Sequence, residues 1–295
     1  MKLFRHVLVG TDFSEPAGWA VASGVGLAQT MGARLTLATV VQPYRPGTLA
    51  SASLTGASVE APFIEEAQRE LERLKEATVP PTVGVTLETM VDLSPAGAIT
   101  NAAEELGVDL IVIGTRGQGG FRRLLLGSVA EQVVRHASCP VLTLGRRAFD
   151  ERGRQSGVMV AADLTEGSEP ALDAGVQLAR AYGVPLELVH VAATEADQPP
   201  AEQALRRLAG GATAPAPSTE DPAELPSSEA LLHHLTVVVD EDPVAAMVSL
   251  AEEKQPEVLV IATEGRTGLR RTLRRSVSEH VVRESPCPVL TVRRR

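Results

Sequence analysis

The chain has 295 residues, of which 44% are hydrophobic and 22% charged, so its composition is that of a folded protein and excludes an intrinsically disordered one. Its length predicts two domains of about 150 residues, each able to bury its own core. A formal net charge of −9 argues against nucleic acid and anionic membranes as partners, and no apolar run approaches the ~18 residues of a membrane span.

The amino terminus leads straight into the first expected strand. The segment MKLFRHVLVGTD contains no small-residue cleavage site of the kind that ends a secretory signal. Cys139 and Cys287 occur in the matching phrases SCPVLTL and PCPVLTV. The alternatives are a disulfide between the two repeats and two free buried thiols at strand starts, and we expect free thiols because cytoplasmic thiols stay reduced. Since neither a membrane span nor a secretory cleavage site is recognised in the sequence, we expect a cytoplasmic protein.

Strands and helices are predicted to alternate along each half of the chain. Short β-branched runs in the first half predict strands at residues 7–10, 35–41, 83–91, 110–114 and 141–144. Segments of helical length lie between them, at residues 15–31, 63–77 and 96–106. Ser14 and Thr165 are expected to cap helix starts, and Gly32, Gly107 and Gly183 to end helices. This order predicts two doubly wound, Rossmann-like α/β domains, each with a five-stranded parallel sheet and helices on both faces.

A duplication covers nearly the whole chain. VDLSPAGAI in the first half is echoed by VDEDPVAAM 148 residues later, and the same offset relates GVDLIVIGTRG to QPEVLVIATEG. The amino-terminal parts of the two copies, HVLVGTDFS and GVMVAADLT, match at an offset of 151 residues. The repeat predicts one domain at residues 1–146 and a second at residues 157–295, joined by a polar linker.

Two stretches interrupt this regular pattern. Residues 48–62 and 194–228 are rich in Ala, Ser, Thr and Pro, a composition typical of surface loops. We expect both to be loops and the second, longer one to be partly disordered.

A glycine loop follows the fourth expected strand of the first copy, in the segment GTRGQGGFRRLLLGSVA. Gly114 and Gly117 would let backbone amides approach an anion closely, because no Cβ stands in the way. Gly127 and Ser128 open the next helix, whose free amides and dipole favour a phosphate. Arg116 could add positive charge or be an ordinary solvated side chain. The alternative to a phosphate site is a turn followed by an ordinary helix start.

The end of the first strand supplies a second candidate group. Asp12 lies there, at the edge of a parallel sheet where such folds bind ligands. Its carboxylate could accept a hydrogen bond from an adenine amino group or a ribose hydroxyl, or it could serve only the start of the following helix. The end of the second strand, residues 39–41, could supply an apolar wall for a base.

These motifs together resemble the universal stress protein family. The phrases that carry the resemblance are VGTDFS, DLIVIGTRG, the G-x2-G-x9-G-S loop and CPVLT, and the resemblance extends over both copies. It implies ATP as the ligand, with Mg or Mn bound through the phosphates. It also implies a set of contact residues: Thr11, Asp12, Val40, Ile113, Gly114, Arg116, Gly117, Gly127, Ser128 and Val129. Family members often dimerise through their last strands, a pairing that the two copies could also make with each other.

The second copy departs from this pattern at the glycine loop. Ala262 replaces Gly114 and Arg275 replaces Gly127, whereas the counterpart of Asp12 is retained as Asp163. A long side chain at the third glycine position would project into the space of the phosphates. We therefore expect the second site to be lost or altered, with nucleotide held mainly by the first copy.

Three functions are consistent with these features. The first is an ATP-binding regulatory or stress-response protein with no catalytic residues and with a protein partner that the sequence does not identify. The second is a slow ATPase or nucleotidyl-transfer enzyme, which the absence of a GxxxxGK[ST] loop disfavours. The third is a structural dimerisation module that binds no nucleotide. We expect neither a separate metal site nor binding to nucleic acid or membrane.

Overall fold

The computed structural model describes residues 4–43, 60–115, 126–145, 156–164, 169–212, 232–263 and 277–294. The chain divides into two compact units, Lys2–Val141 and Leu142–Arg295. Within the described residues, no helix combines the length and the apolar character needed to cross a bilayer.

Strands and helices alternate through the first copy as the sequence predicts. Its strands are β1 (His6–Gly10), β2 (Arg34–Val41), β3 (Val85–Val91), β4 (Leu110–Gly114) and β5 (Val141–Leu144). Its helices are α1 (Glu15–Met31), α2 (Ala61–Thr78), α3 (Pro95–Glu105) and α4 (Ser128–His136). The expected bounds of the five strands and of α1, α2 and α3 are correct to within two residues, so the predicted α/β alternation is confirmed.

The second copy repeats the same order. Its strands are β6 (Val158–Ala161), β7 (Leu186–Ala192), β8 (Leu232–Val239), β9 (Val258–Thr263) and β10 (Val289–Arg293). Its helices are α5 (Glu169–Tyr182), α6 (Gln198–Ala212), α7 (Pro243–Lys254) and α8 (Val277–Glu284). A short 3-10 turn, Glu195–Asp197, precedes α6.

The strands of each copy form a doubly wound parallel sheet. In the first copy the order is β3-β2-β1-β4, with parallel pairing between neighbours and β5 starting beside β4, where Ile111 N donates to Pro140 O at 3.0 Å. The second copy has the order β10-β9-β6-β7-β8, again parallel. The central strands β1, β4, β6 and β9 are buried along most of their length. Their apolar runs reflect helices covering both faces of the sheet.

One expectation about the second copy is wrong. Residues 194–228 are not a loop throughout, because α6 occupies Gln198–Ala212. Pro199 and Pro200 fall in its first turn, where a missing backbone donor costs the helix little. Ala201, Leu205 and Ala209 recur every four residues and are buried, so a helical apolar stripe outweighs the loop-like composition. Residues 213–231 lie outside the described residues.

Helix ends follow the predicted capping residues wherever these are described. The Ser14 side chain accepts a hydrogen bond from Ala17 N, and Gly32, Gly107 and Gly183 all have left-handed backbone angles. Thr165 lies outside the described residues. Gln255 takes the position that Gly107 has in the first copy, with φ 47° at the end of α7. A non-glycine residue is unfavourable in this conformation because its Cβ crowds the backbone.

We expect the Gln255→Gly variant to be more stable than the natural chain by about 0.5–1 kcal/mol. The gain is the relief of left-handed strain minus the larger entropy of an unfolded glycine. Thermal unfolding followed by circular dichroism measures it. The reciprocal change, Gly107→Gln in the first copy, should lower stability by a similar amount, and a stabilising effect there would contradict the argument.

His6 is the first residue of β1 and lies at the amino-terminal ends of the strands. Its Nε2 is 2.8 Å from Thr36 Oγ1 and its Nδ1 is 3.2 Å from Leu106 O. Burial and the positive charge of Arg34 hold the pKa of His6 below its usual value. The ring therefore stays neutral and packs between strands and helix, away from the carboxyl ends of the strands where ligands bind in such folds.

Candidate functional site

The carboxyl ends of β1 and β4 meet at the switch point of the first sheet. β1 pairs with β2 on one side and β4 on the other, with Gly10 opposite both Ala38 and Ile113. Because strand order reverses between β1 and β4, the helices that follow them leave on opposite faces and open a crevice. Thr11 and Thr115, the first residues beyond these two strands, are both buried.

A hydrogen-bonded turn connects β1 to α1. Thr11 N donates to Ala38 O at 2.9 Å, and Thr11 Oγ1 accepts from Phe13 N at 3.0 Å. Asp12 Oδ1 accepts from both the backbone N and the hydroxyl of Ser14, at 3.1 and 2.6 Å. Phe13 has φ 62°, so these bonds hold a strained backbone in place. Asp12 therefore positions the capping residue of α1, whatever else it binds.

The start of α4 is held directly against the end of β4. Gly127 N donates to Thr115 O at 2.7 Å. Gly127 has φ −63° and ψ 146°, and no side chain makes a capping hydrogen bond at this helix start. Side chains cap α1, α3 and α7, from Ser14, Ser94 and Asp242, whereas α2, like α4, has no side-chain cap. The first amides of α4 thus point to the crevice without a cap of their own, and Ser128 is exposed beside them.

The charges at this helix start are balanced within the helix. Glu131, in the first turn, pairs with Arg135 at 3.1 Å. The pairing offsets the repulsion that a carboxylate would otherwise exert on an anion near the helix start. The positive end of the helix dipole therefore remains available to a phosphate.

Gly114 has a packing role that the sequence did not reveal. A Cβ built there would lie 3.0 Å from Pro16 O and 3.2 Å from Pro16 C. These are backbone atoms of the α1 start, so they cannot move aside easily. The close approach of α1 to β4 favours a glycine here, and a role for Gly114 in phosphate binding stays a prediction.

The other expected contact residues are distributed around the same edge. Ile113 is buried at the end of β4, Val40 is half-buried near the end of β2, and Val129 is half-buried in the first turn of α4. Arg116 and Gly117 lie outside the described residues. The structure thus brings Thr11, Asp12, Val40, Ile113, Gly114, Gly127, Ser128 and Val129 to the ends of β1, β2 and β4 and the start of α4.

A polar link at this edge was not expected from the sequence. Gln42 Nε2 donates to Leu93 O at 3.2 Å, which ties the end of β2 to the turn after β3. In that turn Asp92 Oδ1 accepts from Ser94 N at 2.7 Å, and Asp240 makes the same bond to Asp242 N in the second copy. The repeated phrases VDLSP and VDEDP were the signal for this turn.

The second copy has different groups at the corresponding edge. Ala161 and Ala162 replace Gly10 and Thr11, and His190 Nδ1 lies 2.7 Å from Ala162 O. The carboxylate of Asp163 forms an ion pair with the guanidinium of Arg294. Gly265, Arg275 and Ser276 lie outside the described residues. Among the residues that are described in either copy, no group of three His, Cys, Asp or Glu side chains is placed to hold a metal.

Comparison with known proteins identifies the family. The sequence model of the Universal stress protein family matches residues 3–144 and again residues 157–293. The chain belongs to the universal stress protein family. Curated universal stress proteins of one-repeat length match half of it: YxiE of Bacillus subtilis is 36% identical over 48% of this chain and 98% of its own. One from Methanocaldococcus jannaschii is 33% identical over 48% of this chain and 83% of its own.

A solved universal stress protein has the same tandem fold. The crystal structure from Archaeoglobus fulgidus superposes with a TM-score of 0.72 and covers 98% of both chains at 21% identity. At that identity the likeness shows the fold alone. It supports two tandem α/β domains, as the repeat in the sequence predicts.

Proposed function

We propose that this universal stress protein binds ATP in its first copy and acts as a nucleotide-dependent regulatory or stress-response protein. The observation that carries the proposal is the start of α4. Its amides have no side-chain cap, and the bond from Gly127 N to Thr115 O fixes them at the end of β4. A helix start of this kind, at the switch point of a parallel sheet, suits a phosphate group.

Each part of ATP has residues suited to it around the crevice. The α4 amides and the exposed Ser128 hydroxyl would hold phosphate oxygens. Asp12 and Thr11, fixed by their turn, would accept hydrogen bonds from the nucleoside, and Val40 and Ile113 would pack on its apolar faces. Mg or Mn would bind through the phosphates, and no metal ligand is assigned to the protein.

A binding role explains the described groups better than an enzymatic one. Phosphoryl transfer needs a group that positions the attacking nucleophile. The carboxylate of Asp12, at the end of β1, already bonds to Ser14 N and Oγ, and that of Glu131, at the start of α4, pairs with Arg135. Changes in loop order on nucleotide binding would then alter contacts with a protein partner, which is the regulatory step we propose for a cytoplasmic protein.

Calorimetric titration of Mg-ATP into the nucleotide-free chain tests this function. We expect one site per chain, because the second copy has lost two of the three loop glycines. Phosphate release measured on the same samples should stay below one turnover per bound ATP on the timescale of binding. The absence of binding would favour a structural module, and sustained turnover that a single side-chain change abolishes would favour an enzyme.

A further inference from the structure

The strands β10, β9 and β6 are neighbours in the sheet of the second copy, and a polar residue lies at or just beyond the carboxyl end of each. β6 and β9 are paired with Ala161 opposite Ile261, and β9 and β10 with Arg293 opposite Thr263. Asp163 lies two residues beyond the end of β6, Thr263 ends β9, and Arg294 directly follows β10. All three therefore share the carboxyl edge of one sheet, where ligands enter such folds.

Arg294 extends along this edge from β10 to β6. Its backbone N donates to Thr263 O at 3.0 Å, which fixes the start of the side chain at the end of β9. Its guanidinium then pairs with the carboxylate of Asp163. The side chain thus passes over the end of β9, across the opening between β6 and β9.

The side chain of Arg294 is largely shielded from solvent. Its side chain is only 23% exposed, whereas that of Asp163 is 40% exposed. Burial lowers the pKa of Arg294 from its usual value, although an arginine stays charged at neutral pH. A planar guanidinium donates N–H hydrogen bonds to a carboxylate. An adenine amino group or a ribose hydroxyl would donate to the same carboxylate oxygens, so the guanidinium can take their place.

Asp163 is the counterpart of Asp12, which we assign to the nucleoside in the first copy. We infer that Arg294 is a built-in occupant of the second crevice and closes it to an adenine nucleoside. The inference rests on the proposed function for the meaning of that carboxylate. Arg146 stands at the matching position of the first copy and lies outside the described residues, so the inference concerns the second copy alone.

Removing Arg294 distinguishes two roles, that of a side chain filling the crevice and that of an ordinary stabilising ion pair. If the pair only stabilises the fold, losing Arg294 weakens the second copy and opens nothing. If Arg294 occupies the crevice, its loss opens space beside Asp163 for a ligand. Adenosine is the suitable probe, because it lacks phosphates and so does not depend on the altered glycine loop of this copy.

Hydrogen exchange of the full-length chain, with and without adenosine, distinguishes these roles. In the Arg294→Ala variant we expect adenosine to slow exchange in residues 156–164, with an apparent affinity at least about fivefold higher than in the natural chain. Arg293→Ala removes the same charge one residue earlier and should behave like the natural chain. Asp163→Asn, added to Arg294→Ala, should abolish the gain.

Every outcome decides the point. Equal adenosine protection in the natural chain and Arg294→Ala, or none in either, would overturn the inference, as would a gain that survives Asp163→Asn. Arg294→Gln keeps most of the buried stem and serves if the alanine variant does not fold. Mg-ATP binding at residues 4–43 and 126–145, followed in the same samples, reports separately on the first copy, so a failure of the proposed function is recognised independently.

Discussion

The Gly127→Arg variant is expected to fold normally and to lose at least about a hundredfold of the chain's affinity for Mg-ATP. A side chain at the position before a helix lies over the free amides of the first turn, so an arginine there covers the donors that we assign to phosphate. Two lost charge-assisted hydrogen bonds account for the magnitude. The backbone tolerates the change, because φ −63° and ψ 146° suit any residue. Calorimetric titration measures the loss.

Two controls separate the steric effect from charge and from folding. Gly84→Arg adds the same charge at the amino-terminal edge of the sheet, where Gly84 is exposed and a Cβ meets no atom within 4 Å, and should bind Mg-ATP normally. Gly127→Asp should cap α4 and raise stability by a few tenths of a kcal/mol, yet it should abolish binding by repelling phosphate. If Gly127→Arg binds as tightly as the natural chain, the α4 start is not the phosphate site.

The sequence predicted the fold well wherever one local pattern decided the structure. The apolar β-branched runs became the central strands because helices cover both faces of the sheet, and Ser14, Gly32 and Gly183 have local capping roles that nearby residues specify. The prediction from sequence was wrong for α6, where the Pro and Ala content indicated a loop. The buried stripe of Ala201, Leu205 and Ala209 has a partner surface only in the folded unit.

The site was predictable in its position but not in its contacts. The glycine spacing and Asp12 placed it at the correct edge of the sheet, because carboxyl ends of parallel strands always share an edge. The packing of Gly114 against Pro16, and the pairing of Arg294 with Asp163, join residues far apart in sequence. Such contacts depend on the register and tilt of packed elements, which no local pattern specifies.

Gly24→Ala is expected to lower the free energy of unfolding of the first copy by about 1–3 kcal/mol. Gly24 is buried in α1, and a Cβ there would lie 2.2 Å from Val9 Cγ2 in β1. The added methyl would push α1 away from the central strand. Gly175 has the same relation to Val160 in the second copy, at 2.3 Å, so Gly175→Ala should weaken that copy similarly. Chemical unfolding of both variants measures the effects.

Gly18→Ala is the matched control, in the same helix. Gly18 is exposed and a Cβ meets no atom within 4 Å, so alanine should stabilise α1 by about 0.5–1 kcal/mol. Opposite signs for Gly18 and Gly24 would show that contact with the strand, and not helix propensity, decides the effect. A neutral Gly24→Ala would mean that α1 has room to shift. Because the start of α1 contacts Gly114 and includes the cap beside Asp12, a displaced α1 should also weaken Mg-ATP binding, which links the packing of this helix to the proposed site.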